Sequence, residues 1–185
     1  KRQPLAFDYL MTYMTEANFD AAMQQYYTKY KFTHPSPNNL MEELSQDGRF
    51  NLEWFSTHLL GSTNAFDYKL KRVRGSAAQG YRLLLKNKSG LLVPFNVTAY
   101  KNKQKVGEMW LDGFTKKREV IFPPGEVDYF KIDGEDKLIE TNKRNNYSRT
   151  KGMFRHAKGL QLTFLTAYPD ATKNQIHYLP MAGSN

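Results

Sequence analysis

Asn18–Leu60, reading NFDAAMQQYYTKYKFTHPSPNNLMEELSQDGRFNLEWFSTHLL, decides the fold of this chain. Phe19, Ala22, Met23, Tyr26, Tyr27 and Tyr30 recur at three- and four-residue intervals, which predicts a helix of three turns whose aromatic stripe faces a core. Thr33-His34-Pro35-Ser36-Pro37 follows, and its two prolines drive the residues before them out of the helical region. Ser36 stands as an N-cap with Pro37 at the first helical position, so Leu40, Met41 and Leu44 become the buried side of a short helix that Gly48 follows. Asn51 then caps another helix that carries Leu52, Phe55 and Leu59 inward, with Trp54 packing back on the earlier pair. On the N-terminal side, Phe7, Leu10, Met11 and Met14 repeat the spacing and predict a helix over residues 4–15, with Pro4 tolerated in its first turn.

At Gly61-Ser62-Thr63-Asn64 the apolar period changes from helical to two-fold. Tyr68, Leu70 and Val73 begin a strand; Tyr81, Leu83 and Leu85 form one face of a second; Val93, Phe95, Val97 and Ala99 alternate through a third, where Pro94 marks a strand start or an edge. Residues 106–111, 119–122 and 127–132 supply three more, separated by Asp112-Gly113, Pro123-Pro124-Gly125 and Asp133-Gly134. Short strands at this spacing predict an antiparallel sandwich. The expected fold is therefore α+β, about four helices in residues 1–64 followed by a small antiparallel β-sandwich in 65–147. In the extension 148–185, Leu160, Leu162 and Phe164, then Ile176 and Tyr178, read as two strands around a turn at Tyr168-Pro169-Asp170.

The formal charge of +9 over 185 residues is concentrated in the middle of the chain. Residues 66–120 hold thirteen Lys and Arg against four Asp and Glu, while the flanking segments are close to balanced. Strand alternation places Lys69, Lys71, Arg82 and Lys86 outward, as on a solvated sheet face, and places Tyr81, Phe95 and Trp110 in the core. Nucleic-acid platforms add exposed stacking aromatics to such charges. The expectation is weak, salt-sensitive polyanion binding and no specific nucleic acid. No apolar run approaches the ~20 residues of a membrane span. With no cysteine, disulfides, thiol nucleophiles and thiolate metal sites are excluded.

A search for chemistry finds no catalytic, metal or cofactor residue to name. The four histidines, His34, His58, His156 and His177, never come within five residues of one another, so H-E-x-x-H is absent, as are G-x-S-x-G and any phosphate-cradling glycine loop. His34, before a proline in a turn, reads as a structural hydrogen-bonding group, and His58 as packing beside Trp54. Asp133-Gly134-Glu135-Asp136 lacks EF-hand ligand spacing and reads as a hairpin turn.

The order Phe19-Asp20-x-Ala22-Met23-x-x-Tyr26-Tyr27, Lys31-Phe32-x-His34-Pro35 and Leu52-x-Trp54-Phe55 resembles the last helices of the catalytic domain in gluzincin aminopeptidases, the membrane alanyl aminopeptidase family. Leu92-Val93-Pro94-Phe95-x-Val97, Trp110 and the stretch from Val127 to Asp133, closing on Asn145-Asn146, resemble the small β-sandwich that follows those helices, a bracing domain that in some members borders the substrate channel. The likeness covers residues 1–65 well and runs more loosely to 147. It implies a noncatalytic C-terminal fragment of a zinc metallopeptidase, whose parent hydrolyses N-terminal residues from peptides. The zinc ligands, general base and catalytic tyrosine of the family would all lie upstream of Lys1, so none falls on a numbered position, and zinc is expected in the parent only. The implied partners are the upstream catalytic domain of the same chain and the parent's peptide substrate. The compartment stays open, with a bacterial cell envelope or periplasm preferred. The alternative is a stand-alone module whose basic sandwich recognises an anionic partner.

Overall fold

A computed structural model of the chain describes residues 3–46, 48–61, 65–138, 140, 142–152, 155–156, 160–164 and 174–178. Its first segment contains α1 (Gln3–Met14), α2 (Glu16–Tyr30), α3 (Pro37–Ser45) and a π-helical segment, Phe55–Leu60. Local side-chain chemistry sets these boundaries. Between α1 and α2 the chain turns at Thr15, whose φ of 74° is uncommon for a β-branched residue. Asn18 holds that turn, its Nδ2 donating to Met14 O at 2.8 Å and to Thr15 Oγ1 at 3.0 Å. At the start of α3, Asn39 Oδ1 accepts from both the backbone N and the Oγ of Ser36, each at 2.8 Å, so the cap and the third helical residue tie each other down. Asn51 Oδ1 accepts from Glu53 N at 3.1 Å and starts the fourth helix where expected. That helix then widens, because Gly61 N donates to Ser56 O, five residues back, at 2.9 Å.

The aromatic stripe on α2 is a correction to the sequence reading. Ala22 is fully buried and Phe19 and Met23 pack partly against the core, but Tyr27 is 70% exposed and Phe32, just past the helix, 92%. Helical spacing identifies a face without saying whether the chain itself supplies a neighbour for all of it. Here α1 and α3 cover only the Ala22 side.

Residues 68–149 form two packed sheets. One orders β1 (Tyr68–Ser76), β2 (Gly80–Asn87) and β5 (Lys117–Phe122); the other orders β4 (Gln104–Leu111), β3 (Phe95–Lys101), β6 (Tyr129–Ile132) and β7 (Tyr147–Arg149). All their pairings are antiparallel. Pro94 stands immediately before β3, an internal strand, and so removes no ladder hydrogen bond. Rings fill the space between the sheets: Tyr68 stacks on Phe95 with centroids 4.2 Å apart, and Phe130 meets Tyr81 and Phe122 edge-on at 5.2 and 5.1 Å.

The helices meet the outer side of the four-stranded sheet at its Pro94 and Trp110 end. Trp110, opposite Asn96 on that side, lies 5.3 Å from the Tyr13 ring and 6.2 Å from Tyr9, and Trp54 approaches the same two tyrosines at 5.3 and 6.2 Å. Tyr9 Oη donates to Pro94 O at 2.7 Å, and Lys137 Nζ pairs with Asp8 at 3.5 Å. Trp110 is therefore a contact between helices and sandwich, not part of the sandwich interior as the alternation suggested. One buried cluster continues from Ala6 to Leu138 across the change of period. Further on, β8 (Leu160–Phe164) and β9 (Asn174–Tyr178) pair in parallel, so they do not form a hairpin; the turn expected at 168–170 lies outside the described residues.

Because both tryptophans sit in one aromatic group, Trp54→Ala is expected to cost roughly 3–5 kcal/mol, the range for large-to-small core substitutions. Trp110→Ala should lower stability in the same single transition. Urea unfolding followed by far-ultraviolet circular dichroism checks this; a Trp110→Ala protein that loses sheet signal while its helices keep the wild-type midpoint would refute it.

Candidate functional site

Three polar features stand out among the described residues, and each is placed by the architecture above. The first is a cleft of about 280 Å³ where the π-helical segment meets the strand ends, lined by Glu53, Trp54, His58, Pro94, Asp112 and Gly113, among others. Gly113 is required there by space: a Cβ would stand 2.4 Å from the Leu92 carbonyl carbon. Trp54 Nε1, in the cleft wall, is buried without a hydrogen-bond partner. His58 is half-buried and Glu53 and Asp112 are exposed, and among the described residues no hydrogen bond joins His58 to a carboxylate or hydroxyl. Thr57 adds a hydroxyl to the cleft lining, and no hydrogen bond among the described residues joins it to His58.

The other histidines do not add to this cleft. His34 is exposed and makes no hydrogen bond among the described residues, which corrects its reading as a structural hydrogen-bonding group. His156 Nδ1 lies 3.0 Å from Tyr147 O, and His177 falls in β9. Among the described residues no three His, Asp or Glu side chains are grouped so as to hold a metal ion.

The second feature is a pair of desolvated carboxyls under the helix–sandwich junction. Asp133 Oδ1 and Oδ2 accept from Lys137 N at 3.1 Å and Leu138 N at 2.7 Å, so the Asp133 side chain organises the turn that the sequence suggested. Burial pushes its carboxyl above the usual range. Glu140 Oε1 accepts from Tyr68 N at 2.9 Å and Oε2 meets Asn146 Nδ2, which ties the start of β1 to the 3-10 turn Lys143–Asn146. Desolvation pushes Glu140 up to about 8, with Asp133 and Asp67 adding repulsion and the two hydrogen bonds opposing it. Tyr9, above them, is raised chiefly by burial. Nothing in the sequence marks Glu140, since its burial depends on β1 and the turn meeting across more than seventy residues.

The third feature is the outer face of the β1-β2-β5 sheet. Register sets Lys69, Lys86 and Lys117 in one row across the strands, Arg72, Leu84 and Glu119 in the next, and Arg74, Arg82 and Ile121 in a third. Lys71 stands at the irregularity between Leu70 and Arg72. The outward placement expected for Lys69, Lys71, Arg82 and Lys86 holds, although Lys69 and Lys86 are half-buried; Arg72, Arg74 and Lys117 join them. Glu119 is the single carboxylate in these rows, 3.6 Å from Arg82.

Compared with models of known families and with curated proteins, the chain gives no match.

The Glu140 carboxyl yields a pH prediction. Its folded value lies above its unfolded one, so the fold holds a proton that the unfolded chain releases. Stability should fall as pH rises from about 5 to about 8 and then level, at up to ~1.4 kcal/mol per pH unit. Glu140→Gln should flatten this slope. Melting temperatures of both proteins across that window check it; parallel curves would show that Glu140 titrates normally.

Proposed function

We propose that this chain is a noncatalytic part of a zinc aminopeptidase-type protein, the end of a helical domain followed by its bracing β-sandwich. The observation that carries the reading is the incomplete helical layer. Among the helices, Trp54 packs with Tyr13 toward Trp110 of the sandwich, while Tyr27 and Phe32, with Leu5 on α1, are 70%, 92% and 50% exposed. An upstream catalytic domain in the parent would cover such a surface and supply the zinc ligands, the general base and the peptide site. The helices-then-sandwich order agrees with what the resemblance implies.

In this reading the chain stiffens its parent and leaves the chemistry to it. The purified chain is expected to retain no stoichiometric zinc after dialysis and to leave aminoacyl anilides intact. The reading frame preceding Lys1 is expected to encode H-E-x-x-H, with a glutamate some twenty residues later. Stoichiometric zinc, anilide turnover by the chain itself, or an upstream frame without that motif would each contradict the proposal. The alternative of an anionic partner bound by the basic sheet rests on a different surface.

A further inference from the structure

We infer that the outer face of the β1-β2-β5 sheet is a docking surface for an anionic lipid bilayer. It stands independently of the peptidase reading.

Seven basic side chains, Lys69, Lys71, Arg72, Arg74, Arg82, Lys86 and Lys117, share this face with the single carboxylate Glu119. Their arrangement works against the isolated fold. Lys69 is directly across from Lys86, Lys86 from Lys117, and Arg74 from Arg82, whereas like charges in opposed register destabilise a sheet. A solvated face without a partner is better served by alternating signs, and this chain has them elsewhere: Lys101 pairs with Glu126 and Asp128, and Lys105 with Glu108. A surface of negative charge would turn the repulsion within the rows into attraction.

The shape and the remaining side chains select the kind of polyanion. Three strands make a broad face roughly 10 Å across, with basic residues about 7 Å apart along β1, about 13 Å apart along β2 and Lys117 alone on β5, a spread that suits a plane of headgroups. No aromatic side chain occupies the rows, so bases of a single strand have nothing to stack on. Ile121, 68% exposed, ends the third row, and the half-buried Leu84 is at the centre of the second. Apolar side chains between cations gain nothing from a phosphate backbone in water. At the headgroup boundary of a bilayer they can leave water while lysine and arginine heads reach the phosphates.

The test is cosedimentation of the whole chain with large vesicles of phosphatidylcholine alone or with about one-third phosphatidylglycerol, at low salt and at ~0.15 M. Binding to the anionic vesicles, weakened by salt, and none to the neutral ones is expected. Arg74→Glu with Lys117→Glu should reduce partitioning at least about tenfold, because each basic residue near an anionic surface contributes separately. Lys31→Glu with Lys103→Glu alters net charge equally but lies off this face, and should change partitioning less than about twofold. Circular dichroism confirms folding of each variant. The milder pair Arg74→Gln and Lys117→Gln, expected to lose part of the binding, preserves the comparison if the reversed pair does not fold. Absence of binding to anionic vesicles, equal loss in the two charge-reversed pairs, or displacement by duplex oligonucleotide at equal phosphate concentration would overturn the inference; the last would identify nucleic acid as the preferred partner.

Discussion

Four rings, Tyr9, Tyr13, Trp54 and Trp110, hold this molecule together where its helices meet its sheets. They come from α1, the first turn of the fourth helix and β4, and their edge-on or tilted contacts at 5.3–6.2 Å join elements that share no backbone ladder. Edge-to-face aromatic pairs contribute about 0.5–1.5 kcal/mol each beyond their area. The Tyr9–Pro94 hydrogen bond fixes how α1 lies on the sheet. The cleft at His58 lies at the same junction, lined by Trp54 and Pro94, and Tyr9 stands close enough to Asp133 and Glu140 to feel their charge.

Much of this was legible in the sequence. Ser36-Pro37 and Asn51 marked helix starts that the structure keeps, and strands β1 to β6 follow the alternation of their apolar residues because one face of each must meet the opposite sheet. What escaped the sequence depends on tertiary partners. Tyr27 has the spacing of a core residue, but a period cannot reveal whether a second surface exists to cover it. Trp110 alternates as a sandwich residue would, yet its face of the sheet is claimed by helices placed some ninety residues earlier. β7 is too short for a periodic signal, and β8 and β9 read as strands around a turn without revealing that they pair with each other or that they run parallel.

The candidate sites divide in the same way. Lysine and arginine at strand spacing announced a charged face, but only the register shows that the charges oppose one another in rows. Glu140 gave no sign at all, because its shifted titration arises from burial by residues distant in the chain. The absence of an H-E-x-x-H pair was plain from histidine spacing, whereas the exposed side of the helical layer required the exposures of Tyr27 and Phe32.

Native-state hydrogen exchange tests most directly whether the aromatic bracket makes helices and sandwich one unit. Under increasing urea, the slowest amides of α1 and those of β3 should converge on a common opening free energy with a common denaturant dependence, as segments of one cooperative structure do. Helical amides that open at a distinctly lower free energy, with a small urea dependence, while β3 remains protected would contradict the account.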